Sequence, residues 1–212
     1  MCTRFYVEPA PFERLITRAG ALSLADDIAA QLGKAPAMSG EIRPTEAAAV
    51  MAMSRSGRMA VFPMIWGFSS GASKAPVVNC RLETADSKEL WRDSWQRRRC
   101  IIPASRYFEW EHITAPDGKK RTGDKYLIQP KSGSTTLLAG LYRFEMRDGL
   151  RVPVFAVITR EACGGVRALH DRMPLIIPES DAAAWISPDS DPRVIAARAI
   201  TDVLAEKAPQ AR

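Results

Sequence analysis

Cys2 holds the position with the most distinctive chemistry in this sequence. Aminopeptidases remove an initiator methionine when a small residue follows, so removal of Met1 would leave Cys2 with a thiol and a free α-amine on adjacent carbons. An α-amine has a pKa of roughly 7.7–8.0, so a useful fraction is neutral and nucleophilic at physiological pH. It can condense with an aldehyde to an imine, which the neighbouring thiol then traps as a five-membered thiazolidine ring. The alternative is that Cys2 is simply a small residue at the start of a strand.

Three further segments carry polar groups suited to proton transfer or binding. Asn79 and Arg81 alternate, so an extended chain would point them to the same side. Glu109 lies among aromatic residues, which would raise the pKa of its carboxyl group and suit it to act as a general acid. His170 follows a Gly-Gly loop, and its imidazole could shuttle protons near neutral pH. Each also has a structural alternative: an ordinary strand-to-helix junction, an exposed strand glutamate, and a capping or core histidine.

Length and composition limit the classes of protein. The chain has 212 residues, 46% of them hydrophobic, which predicts one domain with one buried core. No apolar run is long enough to span a bilayer, and the first residues lack the apolar stretch of a signal peptide, so we expect a cytoplasmic protein, nucleoid-associated if bacterial. The four cysteines are widely separated, with no C-x-x-C pair or Cys/His cluster, so we expect neither a zinc site nor a disulfide framework.

The chain is basic, with a formal net charge of +6 and a pI of 9.3. This charge is compatible with nucleic-acid binding but does not require it. Two local clusters stand out, at 97–99 and 119–121, and each could equally be a solvated face. The second follows Pro116-Asp117-Gly118, a turn signal, and is better interpreted as a hairpin tip.

Hydrophobic periodicity indicates many short strands with helices at the edges. The predicted strands are 2–7, 47–53, 59–66, 99–103, 105–111, 125–129, 136–144 and 153–159. The predicted helices are 22–32, 83–98, 179–187 and 193–206. Because there is no regular βαβ alternation, this pattern predicts an α+β fold with a curved, largely antiparallel sheet or barrel-like core flanked by helices.

Five motifs in this order resemble the SOS-response-associated peptidase (SRAP) family, the abasic-site processing proteins. They are MCTRF at the start, WGF at 66–68, NCRLET at 79–84, CIIPASRYFEW at 100–110 and HDRMP at 170–174. The resemblance is strongest over 2–188, and it implies one SRAP-like domain over 1–212.

The resemblance implies that the protein forms a thiazolidine crosslink to abasic sites in single-stranded DNA and so shields the lesion in the DNA damage or SOS response. Cys2 would be the nucleophile, Asn79 would hold the Cys2 end and the opened sugar, Glu109 would protonate the sugar oxygen, and His170 would assist proton transfer. The residues implied to bind DNA are Arg4, Arg81, Thr159 and Arg172. No cofactor, metal or membrane is implied, and we expect a monomer.

The sequence departs from the family pattern in four places. Thr3 stands where glycine is usual, and 69–76 lacks the tryptophans that many relatives carry there. The segment Arg43-Pro44-Thr45 only loosely matches an asparagine-containing stretch. From about residue 190 onward, the sequence does not show the family's C-terminal strand signal.

Two other classes of function remain open. In the first, the protein is a hydrolase in which Cys2 attacks an amide, either as an N-terminal-nucleophile cysteine peptidase or amidohydrolase or as a thiol autopeptidase that removes only Met1. In the second, it is a non-catalytic single-stranded DNA-binding module. The stacking candidates would then be Trp66, Trp91, Trp95 and Trp110, although their apolar neighbours favour core packing.

Overall fold

The secondary structure is dominated by β-strands. The computed structural model describes residues 2–8, 19–71 and 73–209, without the side chains of 19–24 and 120. The strands are β1 (Phe5–Val7), β2 (Gly40–Ile42), β3 (Ala47–Met53), β4 (Met59–Trp66), β5 (Asn79–Arg81), β6 (Arg99–Ala104), β7 (Arg106–Thr114), β8 (Lys120–Pro130), β9 (Thr136–Arg147), β10 (Leu150–Glu161), β11 (Arg172–Pro174) and β12 (Val203–Lys207). The helices are α1 (Ala19–Leu32), α2 (Glu89–Arg97), α3 (Ala182–Ile186) and α4 (Pro192–Ala196), with 3-10 turns at Leu82–Thr84, Gly164–Ala168 and Glu179–Asp181.

A closed barrel forms the centre of the fold. Its strands run in the order β10-β4-β3-β6-β9, and β9 pairs back with β10 to complete the ring. All of these pairings are antiparallel except the short parallel contact between β10 and β4. Beyond that contact, β10 pairs with β5 and then with β11. The predicted α+β fold with a barrel-like, largely antiparallel core is therefore confirmed.

A second, fully antiparallel sheet carries the N-terminal strand. Its order is β12-β8-β7-β1-β2, so β1 lies between β7 and β2. Phe5 pairs with Tyr107 on one side and with Ile42 on the other. This register places the residues that precede β1 beside the middle of β7.

The barrel strands are buried on both faces. On β10, Val154 and Ala156 join the cluster that includes Trp91 and Trp185 of the helices, whereas Phe155 joins the cluster that includes the second sheet. Alternation along a strand separates the two faces, and burial of both explains why β10 has a nearly continuous apolar sequence.

Arg99 connects the ends of two helices. Its guanidinium donates hydrogen bonds to Trp95 and Gln96 carbonyls at the end of α2, and to Trp185 and Ser187 carbonyls at the end of α3. Only 2% of Arg99 is exposed. This residue of the 97–99 cluster is therefore neither a solvated side chain nor a nucleic-acid contact.

Three predicted helices differ from the structure. The predicted helix 83–98 is a 3-10 turn followed after a gap by α2, and 179–187 is a 3-10 turn followed by α3. The prediction of one helix over 193–206 is wrong, because α4 ends at Ala196 and β12 follows. β12 pairs with β8 from Val203 to Lys207, so a C-terminal strand forms although the sequence from about residue 190 shows no signal for it. Pairing with a strand far away in sequence overrides the local helical pattern.

Among the described residues, no helix combines the length and the apolar character needed to cross a membrane.

Candidate active site

Cys2 lies beside β7, in a fully buried position. The backbone N–H of Phe108 donates to the carbonyl of Arg4 at 3.0 Å, which holds the chain before β1 against that strand. The Cys2 thiol donates to the same carbonyl, with the sulfur 3.6 Å from the oxygen. Burial and the negative charge of Glu109 raise the pKa of the Cys2 thiol far above its ordinary value. The thiol is therefore protonated at neutral pH.

Asn79 connects the barrel to Cys2. It begins β5, where it pairs with Val157 of β10, and its Nδ2 donates to the Cys2 carbonyl at 2.9 Å. The neighbouring Cys80 is buried and Arg81 is exposed, as alternation along an extended segment requires. The Asn79 Oδ1 is buried and has no hydrogen-bond partner within the described part of the chain. Asn79 thus has an acceptor available at the position that holds Cys2.

Glu109 and Tyr107 are alternate residues of β7 and are both buried near Cys2. Only 3% of Glu109 is exposed, and this burial raises the pKa of its carboxyl group. Burial also raises the pKa of Tyr107, and the charges of Cys2 and Glu109 act in the same direction. The Tyr107 hydroxyl has no hydrogen-bond partner among the residues that the structure describes. The strand therefore presents one protonatable carboxyl group and one phenol to the Cys2 region.

His170 lies between the 3-10 turn Gly164–Ala168 and β11. Its Nδ1 accepts a hydrogen bond from the Arg172 backbone N–H at 2.9 Å, which places the proton of the neutral ring on Nε2. Burial lowers the pKa of His170 to about 4. A carboxylate oxygen of Asp171 lies 2.8 Å from the same Nδ1 and favours the charged ring, but burial outweighs it. His170 is therefore neutral near pH 7.

A cavity of about 460 Å³ opens beside His170. His112 also lines it, and the centres of the His112 and His170 rings are 4.1 Å apart. The register between β7 and β8 shifts between Trp110 and His112, which interrupts the strand alternation at that point. β7 carries both Glu109 and His112, so the contact between His112 and His170 brings this part of the strand next to His170.

Arg172 and Thr159 hold β5, β10 and β11 together. The Arg172 guanidinium donates to both carboxylate oxygens of Glu83 at 2.7 and 2.8 Å, and to the Thr159 carbonyl at 2.7 Å. Thr159 is fully buried, and its hydroxyl donates to the Cys80 carbonyl. The hydrogen bonds from Arg172 are the leading cause that lowers the pKa of Glu83. Both predicted DNA contacts thus have partners inside the protein in this structure.

Arg4 belongs to a group of cations around Glu41. Arg4 donates to Glu41 at 2.7 Å, Lys125 donates to its other oxygen at 2.9 Å, and Arg43 lies 3.1 Å away. Burial acts to raise the pKa of Glu41, but the hydrogen bond and charge of Lys125 and the charge of Arg4 outweigh it and lower the pKa. Arg4 and Lys125 also lie over the ring of Trp110, at 5.1 and 5.4 Å from its centre. We call these five residues the Glu41 cluster.

The structure brings the predicted catalytic residues into one region. Asn79 contacts Cys2, the charge of Glu109 acts on the Cys2 thiol, and His170 contacts His112 of the strand that carries Glu109. The described residues contain no group of three His, Cys, Asp or Glu side chains that could hold a metal ion. Sequence analysis did not assign roles to four residues of the site: Glu41, Glu83, Tyr107 and His112. Tyr107 alternates with Glu109 in the same strand and Glu83 lies in the NCRLET motif, whereas Glu41 and His112 had no sequence signal.

Comparison with known sequences decides the family. The sequence model described as SOS response associated peptidase (SRAP) matches residues 1–209. The chain belongs to the SRAP family. It is 28% identical over 168 residues to the abasic site processing protein YedK of Escherichia coli, an alignment that covers 77% of this chain and 72% of YedK.

Two other SRAP relatives align over shorter parts of their own chains. The abasic site processing protein YoaM of Bacillus subtilis is 30% identical over 113 residues, covering 53% of this chain and 48% of YoaM. The abasic site processing protein HMCES of Rattus norvegicus is 27% identical over 158 residues, covering 59% of this chain and 44% of HMCES. The chain therefore spans less than half the length of these two relatives.

Solved structures share the fold. A phage-related protein of Bordetella bronchiseptica superimposes with a TM-score of 0.71 over 99% of this chain and 95% of its own, at 22% identity. A protein of Bacteroides thetaiotaomicron superimposes with a TM-score of 0.73 over 99% and 93% of the two chains, at 18% identity. At these identities, the likeness concerns the fold.

Proposed function

We propose that this protein processes abasic sites in single-stranded DNA by forming a thiazolidine crosslink through Cys2 after Met1 has been removed. The observation that carries the proposal is the position of Cys2, which Asn79 holds by its carbonyl at 2.9 Å beside the buried, protonatable Glu109. The names of its SRAP relatives as abasic site processing proteins support the choice of substrate.

The first step is opening of the sugar. An abasic deoxyribose exists mostly as a closed hemiacetal, so a proton must reach the ring oxygen before the C1′ aldehyde is available. The raised pKa of Glu109 keeps a fraction of its carboxyl group protonated at higher pH than an exposed glutamate, which suits it to give that proton. The C1′ hydroxyl loses its proton to water, and the neutral His170, whose proton lies on Nε2, assists by donating a hydrogen bond to the opening sugar.

The second step joins the protein to the lesion. The α-amine of Cys2 attacks C1′ of the aldehyde, and loss of one water gives an imine. The sulfur then bonds to C1′ while the thiol proton passes to the nitrogen, which closes the ring. Because the amine reacts first and the thiol reacts within the same molecule, a thiol with a raised pKa is no obstacle to the start of the reaction. Trapping by sulfur removes the imine that would otherwise undergo β-elimination and break the strand.

Cationic side chains near Cys2 support binding of a single strand. The Glu41 cluster places Arg4, Lys125 and Arg43 around one carboxylate, so cations outnumber acids there. Trp110, in the same cluster, offers a partly buried aromatic face. Cations for phosphates together with an aromatic platform for a base are typical of sequence-independent single-strand binding.

A cysteine peptidase fits the geometry less well. A thiol hydrolase attacks its substrate as the thiolate, and activation of such cysteines lowers the pKa of the thiol. Here burial and Glu109 raise it instead. The same buried groups are compatible with the amine-first route, which does not begin with a thiolate.

Intact mass spectrometry tests the proposal. The purified protein is weighed before and after mixing with an abasic oligonucleotide, so that Met1 removal and the adduct are read together. The expected product has the mass of the mature protein plus the oligonucleotide minus one water, and it survives denaturation. Turnover of peptide or glutamine amides without any adduct would instead favour the hydrolase.

Two variants separate the aminothiol from a simple nucleophile. Insertion of glycine between Met1 and Cys2 keeps the thiol but moves the amine to another residue, so no stable adduct should form. Cys163→Ser removes a half-buried thiol that packs against the same cluster but has no α-amine beside it, and it should leave the adduct unchanged. A stable adduct in the insertion variant would contradict the thiazolidine. Unchanged DNA binding by Cys2→Ser, with no adduct ever formed by the wild type, would indicate a non-catalytic binding module.

A further inference from the structure

A second cavity opens near the start of β10. Its volume is about 670 Å³, and it lies between β3, β4, β9 and β10. Its aromatic lining is Phe62, Tyr142 and Phe144, and its arginines are Arg55, Arg98 and Arg151. We call it the β9–β10 cavity.

The β9–β10 cavity is separate from the candidate active site. Pro153 of β10 lines the cavity, whereas Val157 of the same strand pairs with Asn79. Four residues of extended strand correspond to about 13 Å. A small ligand in the cavity would therefore not reach Cys2.

The aromatic residues form an exposed platform with a cation above it. Phe144 is 43% exposed, although it belongs to a barrel strand. The Arg151 guanidinium lies 4.4 Å from the centre of the Phe144 ring, and Tyr142 meets Phe144 edge to face at 6.2 Å. An arginine stacked on an exposed phenylalanine presents a flat surface and a positive charge to the same ligand.

The charges in the cavity are not balanced. Arg55 and Arg151 are exposed, and within the described ranges neither makes an ion pair. Arg98 pairs with Asp93, and Asp27 is the acidic residue of the lining. Two unpaired guanidinium groups beside an aromatic platform therefore favour a ligand that has both negative charge and a flat ring.

We propose that the β9–β10 cavity binds a nucleotide, with the base stacked on Phe144 and the phosphate held by Arg55 and Arg151. The ligand class is an aromatic base that carries phosphate, either as a free mononucleotide or as one unit of a single strand. This site goes beyond the proposed function, because it uses no atom of Cys2, Asn79, Glu109 or His170.

Photochemical crosslinking locates the site. A thymidine tetranucleotide that contains one 5-iodouracil and no abasic site is irradiated with the Cys2→Ser variant, and the modified peptide is identified by mass spectrometry. The expected modification lies on Tyr142 or Phe144. Modification only around Trp110, or no modification, would overturn the proposal. The abasic adduct of the wild type is measured separately, so failure of either proposal leaves the other intact.

Matched substitutions measure what the platform contributes. Phe144→Ala should weaken tetranucleotide binding about tenfold, as expected for loss of one base-stacking contact. Arg151→Gln, which removes a charged contact to the phosphate, should weaken it by about the same factor. Met146→Ala, at a 67% exposed position of the same strand, and Arg160→Gln, elsewhere on β10, should each change it less than about twofold. Melting temperatures check that all four variants fold. Equal weakening by Arg160→Gln and Arg151→Gln would indicate general charge attraction and overturn the site.

Competition identifies the source of the nucleotide. Displacement of the tetranucleotide by thymidine monophosphate supports the site and assigns it to free nucleotides. Crosslinking at Tyr142 or Phe144 that the mononucleotide does not displace supports the site and assigns it to a strand. Displacement by inorganic phosphate alone would show that the aromatic platform plays no part, which would overturn the proposal.

Discussion

Burial shifts the pKa values of the two proton-transfer candidates near Cys2 in opposite directions. It raises the pKa of Glu109 and lowers the pKa of His170, so both side chains favour their uncharged forms. Glu109 is then suited to give a proton, and the neutral His170, with its proton on Nε2, is suited to donate a hydrogen bond. The residue types could be chosen from sequence, because motif order and strand alternation single out Glu109 and His170. Their pKa shifts could not, since burial depends on strands that are distant in sequence.

Glu109→Gln should separate ring opening from imine formation. We expect crosslinking to a closed abasic site to slow by about 10²–10⁴-fold, the usual contribution of a general acid. Reaction with a small open-chain aldehyde should stay near the wild-type rate, because no sugar ring has to open. Rates of adduct formation by mass spectrometry measure both. Equal slowing with both substrates would contradict a role in ring opening.

The stability of the same variant should also depend on pH differently from that of the wild type. Because folding raises the pKa of Glu109 above its unfolded value, the wild type should lose stability relative to Glu109→Gln as pH rises through the folded pKa. Denaturant titrations over a pH series measure this difference.

His170 should make the fold sensitive to acid. Its pKa is about 4 in the folded protein against an ordinary value of 6.5, so its contribution to stability is complete above pH 6.5 and is lost as pH falls toward 4. In His170→Gln, the free energy of unfolding should fall less over this interval. Urea denaturation between pH 4 and 7 compares the two slopes. Identical slopes would show that His170 is not held neutral by the fold.

Among the elements, the hairpin of β3 and β4 was predicted at its observed bounds, whereas the last helix was not. The local sequence is enough to specify the hairpin, since two apolar strands flank a polar turn at 54–58. The segment 193–206 has a helical pattern, but its second half forms β12 against β8. Val203 and Ala205 are less exposed than their neighbours and pack against the cluster below the second sheet. This alternation of buried and exposed residues is favourable only because β8 lies beside the segment and pairs with it.

The turn between β2 and β3 holds a strained residue. Thr45 has a φ of 72°, a left-handed conformation that a β-branched residue rarely adopts, and its N–H donates to the Trp66 carbonyl at 2.8 Å. Thr45→Gly should raise the free energy of unfolding by about 1 kcal/mol, because glycine adopts this φ without steric cost. Chemical denaturation measures the change. Thr135→Gly, at an exposed loop residue without positive φ, should stabilise nothing.

At the scale of the whole molecule, assembly of the candidate active site depends on closure of the barrel and on a second sheet that carries the N-terminal strand. Cys2 reaches Asn79 only because β1 pairs with β7 while β5 pairs with β10. These contacts join residues 2, 79 and 109, which are far apart in the chain. Gly140 of β9 lies at a closely packed part of the ring, since a side chain there would meet strands on both sides.

Gly140→Ala should therefore destabilise the barrel. An added Cβ would lie 2.5 Å from Ile102 Cδ1, 2.9 Å from Cys100 Sγ and 3.0 Å from the Ala156 carbonyl oxygen. The expected loss is about 1–3 kcal/mol, typical of overpacking in a core. Thermal and denaturant unfolding measure it, with Gly165→Ala as the matched control because no atom lies within 4 Å of its added Cβ. Equal stability of the two variants would contradict the close packing between β6, β9 and β10.

Local signals in the chain were enough for the family resemblance, the α+β class, most strands and the choice of Cys2, Asn79, Glu109 and His170. Such features depend on residue type, order and alternation, which a single sequence contains. Burial of Arg99, contact of His112 with His170 and formation of β12 required the folded molecule. Each depends on which distant segment lies opposite. That is settled by the packing of the barrel against its helices and second sheet, and local propensity does not encode it.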